Sequence, residues 1–397
     1  MFEKRPAYNS ASCLSGGGYV GTCRAGAGDR ATDVSANSGN ISSAALTDIS
    51  AQFSVSAPQA AQTLSVYFIG FAVGVLLWGG FSDRYGRRPA LLAGLGVYAM
   101  GCLMALWAAD FSLLLAARIV TAIGAATGSV VTQTVLRDCY SGRQLAGIFS
   151  FIGLALAVSP AVGVYIGGGL TAIWGMRGVF SALALLAASL LLGCLRLMPE
   201  TRPQNRAGEP FLCVLRRMAG DKYIALAAIL VAAFNVSLFS YYSLAPFLFA
   251  RFDLDTLTFG YSGMALAAGS LLGALLNRVL LRQHVPLGRI LAIACILHFV
   301  GGVAVYVLRE SIWFVAPVAL VTLAWAMAIP LVLGSALSAY GDCRGTAGAF
   351  FGLFYYVLIG AGLLAAGWGQ SLGASLLVCA GVSIFAGWRY ITVFDRG

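Results

Sequence analysis

Gly79-Gly80-Phe81-Ser82-Asp83-Arg84-Tyr85-Gly86-Arg87-Arg88-Pro89 is the stretch that decides how the chain is read. It is a short basic turn between two long apolar runs. Gly79 and Gly80 allow close helix approach, and Gly86 permits a positive φ. Pro89 suits the first turn of a following helix. Arg87 and Arg88 favour an anionic lipid surface. Asp83 is the odd member, an acid among cations, able to pair with Arg84 or Arg87 or to sit at a neighbouring helix N-terminus.

The apolar runs on either side extend through the chain. Hydrophobic residues make up 59% and charged residues 10%, more apolar surface than a water-soluble core hides and what a bilayer requires. Eleven stretches reach the roughly 20 residues of a spanning helix. They fall at about 61–82, 89–109, 111–136, 145–170, 177–198, 223–250, 257–280, 289–308, 311–338, 345–369 and 371–390. They are continuous rather than alternating, which excludes a β-barrel, and their short connections make neighbours antiparallel. The fold class expected is an all-α membrane protein.

The net charge of +10 is distributed by side. With the spans in order, one side carries Arg84, Arg87, Arg88, Arg137, Arg143, Arg196, Arg202, Arg206, Arg216, Arg217, Lys222, Arg278, Arg282, Arg289, Arg344, Arg389 and Arg396. The other carries Arg177, Arg251 and Arg309. This is the positive-inside bias, and it places the C-terminus in the cytoplasm. The basic pI therefore reports topology, and no nucleic-acid partner is expected. Nine cysteines form no C-x-x-C pair and no His/Cys cluster of metal spacing, so neither metal nor cofactor is expected. Walker, zincin, nucleophile-elbow and paired-carboxylate signatures are absent, which argues against an enzyme.

Four regions follow: a polar N-terminal segment (1–58), a helical bundle (59–198), a cytoplasmic linker (199–222) with an interfacial helix near 211–219, and a second bundle (223–397). Eleven spans ending in the cytoplasm require an external N-terminus, which a basic polar segment does not favour. The expectation is that a first helix is missing or replaced. The run Gly16-Gly17-Gly18-Tyr19-Val20-Gly21 is a formal G-x-G-x-x-G without the strand and helix of a dinucleotide site, so no nucleotide is expected there. The bundles echo each other: Gly79-x-x-x-Asp83-Arg84 against Gly273-x-x-x-Asn277-Arg278, and Arg143-x-x-Ala146-Gly147 against Arg344-x-x-Ala347-Gly348. Carriers built from such repeats bind substrate between the halves near mid-membrane.

Several residues stand out inside the spans. Arg118 lies in an apolar run, where a cation at mid-membrane costs about 2.5–3.5 kcal/mol. Thr132 and Gln133 share its helix. Pro160 removes a helix hydrogen bond and predicts a bend, near Gly163 and Gly167. The pairs Gly70/Gly74, Gly124/Gly128, Gly163/Gly167, Gly269/Gly273 and Gly348/Gly352 are small-xxx-small packing faces. No span carries a clear mid-membrane Asp or Glu. His298 is the one histidine in a span, and a lone histidine on an apolar helix is read first as packed. Asn235 is a further polar residue in a span, read like His298 as packed or as part of the proton and substrate pathway, while Tyr67, Tyr241, Tyr242, Trp325, Tyr355 and Tyr356 suit a flat lipophilic ligand.

The 79–89 loop, Arg118 with Gly124, Pro160 with Gly167-Gly168, Trp174 with Arg177 and Phe180, and Pro199-Glu200-Thr201 together resemble the major facilitator superfamily. The likeness is greatest to the bicyclomycin/chloramphenicol-resistance branch of its drug:proton antiporters and covers roughly 40–390. Within it, the stretch from Asn40 to Tyr67 looks like the end of the first helix, its loop and the second helix. The resemblance implies a monomeric carrier of the bacterial inner membrane, with two six-helix halves exporting small amphipathic compounds against protons by alternating access. It implies that Asp83 gates by touching the start of the eleventh helix near Gly345, and that Arg118 belongs to the proton and substrate pathway. The branch's antiporter signature has a second proline where this chain has Val164. Two other readings stand beside it: a remnant that no longer transports, and a membrane-embedded enzyme, which would need a His, Asp or Glu cluster near a span end.

Overall fold

A chain in lipid has only its own carbonyls to satisfy its amides, so apolar runs become helices. The computed structural model describes residues 41–140, 142–201 and 211–394. Its helices are α1 (Leu46–Gln52), α2 (Ala57–Tyr85), α3 (Arg87–Leu106), α4 (Phe111–Cys139), α5 (Gly142–Leu197), α6 (Phe211–Ala219), α7 (Lys222–Arg251), α8 (Thr256–Arg282), α9 (Leu287–Val307), α10 (Val315–Ala336), α11 (Arg344–Gly369) and α12 (Leu372–Phe394). Among the described residues ten helical runs are long and apolar enough to cross a bilayer.

Local sequence sets many of the starts. Ser56 and Gln59 form a capping box on α2, and the carboxylates of Asp110, Asp221 and Asp255 accept first-turn amides of α4, α7 and α8. The run α5 holds two of the eleven expected spans. It is broken at Gly175 (φ 61°, ψ −158°), leaving arms 142–174 and 176–197 that each exceed the roughly 20 residues a crossing needs. Pro160 lies within the helix, and the non-helical Gly175 falls between the two spans expected at 145–170 and 177–198. Gly175 reaches its positive φ without steric cost, and the Asp48 carboxylate accepts the next amide, Met176 N, at 2.5 Å.

Packing divides the helices into α2–α5 and α7–α12, joined where α2 meets α11 and where α5 meets α8. The same neighbours recur in both sets: α2 on α4 and α8 on α10, α3 on α4 and α9 on α10, α3 on α5 and α9 on α12. Glycine positions fix the register. Gly70 and Gly74 lie against Ile119 and Ile123, as Gly269 and Gly273 lie against Ala319 and Leu323. Gly101 lies against Thr121, and 200 positions later Gly301 lies against Val321.

That register corrects one expected echo. Gly273 is the counterpart of Gly74, not of Gly79, so the pairing of Asp83 with Asn277 is a coincidence of spelling. The second echo fits, because Arg143 and Arg344 each lie at the start of a helix joining the halves, α5 and α11.

Helix also occupies parts of the N-terminal segment and of the linker. Residues 41–52 are largely helical, with Ala44, Ala45, Leu46 and Ile49 buried in the N-terminal core. They lie before the boundary drawn at 58. In the linker, α6 occupies 211–219 as expected, with Val214 and Met218 buried and Arg216 and Arg217 exposed. The glycine run 16–21 and the linker residues 202–210 lie outside the described residues.

Candidate functional site

The turn between α2 and α3 is organised by Arg87, which is 3% exposed. Its Nη1 donates to Asp83 Oδ1 at 2.7 Å and to Ser82 Oγ at 3.3 Å, and its Nε donates to Asp138 Oδ2 on α4 at 3.0 Å. Asp138 is as buried as Arg87, whereas the Asp83 side chain is 65% exposed. The buried pair is therefore Arg87 with Asp138, and Asp83 closes it from the solvent side.

Glu200, just beyond α5, accepts the backbone amides of Arg87 at 2.8 Å and Arg88 at 3.2 Å, so it caps α3 from 113 residues away. Gly86 (φ 108°) makes room for this, since any Cβ there would overlap the Glu200 carboxylate. Arg88 Nη2 donates to Leu195 O at 2.9 Å, binding the same two elements again. Arg84 stacks over Tyr85 at 5.4 Å. Gly79 faces Ala349 of α11, in ordinary contact distance for an added Cβ, so the turn lies at the junction of the halves. The expected partner of Asp83 near Gly345 falls where side chains lie outside the described residues.

Seven residues into α4 lies Arg118, 1% exposed and about 10 Å from the helix start at 1.5 Å per residue. Its guanidinium lies 4.6 Å from the centre of the Tyr67 ring on α2 and 6.0 Å from that of Phe180 on α5. Aromatic faces attract a cation, most strongly when it is desolvated. Among the described residues no carboxylate pairs with it, and its Nε and Nη1 have no hydrogen-bond partner. A buried polar atom left so is expensive and calls for an explanation. Gly124, one turn and a half further on, lets the α4 backbone meet that of Tyr98 on α3, which holds this wall tight. Gln133 is about 22 Å further along the helix at 1.5 Å per residue, so the structure separates it from Arg118.

Next to Tyr67 an aromatic seam crosses between the halves. Phe68 packs on Phe239 of α7 at 4.5 Å, Phe71 on Tyr356 of α11 at 4.7 Å, and Tyr356 on Tyr355 at 4.3 Å. Phe239 continues to Tyr242 at 5.9 Å. The expected pathway residues Tyr67 and Tyr355 thus flank one seam. Asn235 accepts Trp325 Nε1 at 3.2 Å and donates to Val231 O at 2.7 Å. Tyr241 turns the other way, donating to Ser262 Oγ at 2.5 Å among Phe259 and Phe314. His298 is bonded on both ring nitrogens, to Ser383 at 3.0 Å and Ser237 at 2.8 Å, and stacks on Phe234. Gly163 is buried in α5, and Gly167 and Gly168 admit Ile41 on one side and the start of α8 on the other.

Of the turn's two further ligands, Asp138 was not singled out from sequence, and Glu200 was noted only within Pro199-Glu200-Thr201, without its partner. The available signal was a carboxylate at each helix end facing a basic loop.

Residues 34–364 match the Major Facilitator Superfamily. The chain belongs to that superfamily. It is similar to an uncharacterized transporter of Rickettsia bellii, 30% identical over 75% of this chain and 78% of the relative. It is also 30% identical to a chloramphenicol resistance protein of Pseudomonas aeruginosa, over 75% and 72% of the two chains. Multidrug resistance protein D of Escherichia coli is 29% identical over 45% of each. In fold the chain is similar to the crystal structure of a bacterial homolog of the human lysosomal transporter Spinster, with TM-score 0.68, 15% identity, and 94% and 96% of the chains covered. The superfamily match and the Rickettsia bellii transporter set the membrane-enzyme reading aside.

Proposed function

We propose that this superfamily member exports small amphipathic compounds across a bacterial inner membrane, by alternating access of its two halves and in exchange for protons. Resistance to chloramphenicol and to multiple drugs among its relatives supports the substrate class. The Lys and Arg bias supports a basic-loop end and C-terminus in the cytoplasm.

Arg118 carries the mechanism. A desolvated guanidinium between aromatic rings, beside the seam where the halves meet, attracts an anionic or strongly dipolar group from the pathway. Binding or releasing a proton or a substrate near it changes the local charge, and that change biases which side is open. The aromatic seam supplies stacking surface for flat ligands. The Arg87–Asp138–Glu200 cluster holds α3, α4 and α5 together as one body while α11 moves past Gly79.

The test is purified protein in liposomes with an imposed pH gradient and a trapped pH dye. Addition of chloramphenicol or a lipophilic cation is expected to dissipate the gradient faster than in empty liposomes. Export of those compounds with no accompanying proton movement would remove the antiport reading.

A further inference from the structure

Among the described residues only Arg177, Arg251 and Arg309 place a Lys or Arg at the end opposite the basic loop. Two of the three converge. Arg251 ends α7 and Arg309 follows α9, and both line a recess of about 160 Å³ that also receives the start of α12. The volume far exceeds the ~10–15 Å³ that a single water needs. Its inner wall is apolar and buried, with Val305, Phe314 and Leu372 each 3% exposed or less.

Among the described residues neither guanidinium has an acidic partner closer than 3.5 Å, and the Arg251 and Arg309 side chains are 70% and 52% exposed. Glu310 lies between them, but its oxygens are 3.7 Å from Arg251 Nη2 and 3.5 Å from Arg309 Nε. Charge-assisted pairs that are fully formed close to about 2.7–2.9 Å. Arg309 also stacks on Tyr306 at 4.9 Å. Two cations against one acid leave the side chains of the recess at net positive charge. Leu372 and Gly373, the first residues of a 23-residue helix, line the same space, and their amides have no preceding turn to bond. Ser371 accepts Ala374 N at 3.4 Å, and Gln370 Nε2 donates to Gly367 O at 2.5 Å, so the neighbouring polar groups are engaged locally.

Interfacial arginines ordinarily snorkel singly to solvent. Here the chain keeps this end almost free of cations and then brings two of them, from separate helices, to one helix N-terminus. We propose that this recess is a binding site for a single phosphate-type oxyanion, held by Arg251, Arg309 and the first amides of α12, with Glu310 as the competing internal acid. The oxyanion belongs either to an anionic lipid headgroup or to a free phosphate.

Thermal unfolding of the full-length protein in neutral detergent tests this, with added phosphatidylglycerol, inorganic phosphate, or phosphatidylcholine as the neutral control. Phosphatidylglycerol is expected to raise the unfolding midpoint, with a half-saturating concentration about tenfold or more higher in R251Q/R309Q. In E310Q the half-saturating concentration is expected to fall several-fold, roughly the gain from removing one competing charge. A matching response to inorganic phosphate assigns the site to a free oxyanion, and a response to phosphatidylglycerol alone assigns it to a headgroup. Each variant is compared with itself without probe, so a lower starting midpoint does not disturb the reading. No response in the wild type, an equal response in R251Q/R309Q, or unchanged binding in E310Q overturns the proposal.

Discussion

The two halves share one frame and fill it differently. The glycines that set α2 against α4 and α8 against α10 recur in register, as do Gly101 and Gly301. Side chains at matched positions diverge. Two hundred positions after Arg118 stands Val318, equally buried and apolar. After Tyr98 stands His298, and after Arg87 stands Leu287. The N-terminal half therefore holds a buried guanidinium with no ion pair among the described residues, and an ion-paired lock at its end. The C-terminal half holds hydrocarbon in both places.

His298 makes the contrast sharper. Ser383 Oγ donates to Ala380 O at 2.8 Å, so it accepts from His298 Nδ1–H, and Nε2 accepts from Ser237. The network thus assigns one neutral tautomer with both nitrogens satisfied. That is a packing tie between α7, α9 and α12. Repetition supplied a scaffold, and the buried guanidiniums, Arg87 and Arg118, were placed on one side of it.

The largest expected effect comes from removing that chemistry. R118A should lower substrate-driven efflux by about tenfold or more, at least ~1.4 kcal/mol, with membrane levels unchanged and R118K intermediate. Efflux assays in a pump-deficient bacterium, with immunoblots for protein level, measure both. Wild-type export by R118A would leave the asymmetry between the halves without functional content.

The end lock is next. D138N leaves Arg87 buried beside only the exposed Asp83, and breaking a buried pair costs about 3–5 kcal/mol. Thermal unfolding of the detergent-solubilised variant is expected to show it clearly, whereas L287A, at the matched apolar position, should shift the midpoint less.

The shared frame itself predicts equality. A Cβ on Gly74 or on Gly273 meets the backbone of the opposing helix closely in both halves. G74A and G273A should each destabilise by about 1–3 kcal/mol, and by similar amounts. Unequal shifts would mean that the register drawn from these glycines does not govern the packing energy of both halves.

The smallest effect on transport belongs to His298. H298Q is expected to keep efflux within about twofold and leave its pH profile unmoved, because the imidazole is a satisfied neutral tie rather than a titrating group. A displaced pH profile would give the C-terminal half the chemistry here denied to it.

How much of this was visible beforehand depended on distance along the chain. The eleven apolar runs and α6 at 211–219 follow from local composition, which a helix in lipid reads directly. The basic turn and Arg118 were legible for the same reason, as charges set in apolar neighbours. The partners were not. Asp138 lies 51 residues from Arg87 and Glu200 lies 113, and nothing near either residue names its mate. The turn between the spans at 145–170 and 177–198 was legible, whereas the Asp48 cap that holds it at Gly175 is 128 residues from Met176.

Composition and order along the polypeptide determined that this chain is helical, spans lipid, turns at a basic loop and carries one cation in an apolar run. Those properties depend on each segment's own exchange between water and hydrocarbon. Which carboxylate meets Arg87, which rings surround Arg118, and which glycines correspond between the halves were decided only when the helices packed. Close contact is fixed by shape across residues far apart in number, and a glycine spells the same whether it faces a neighbouring helix or lipid.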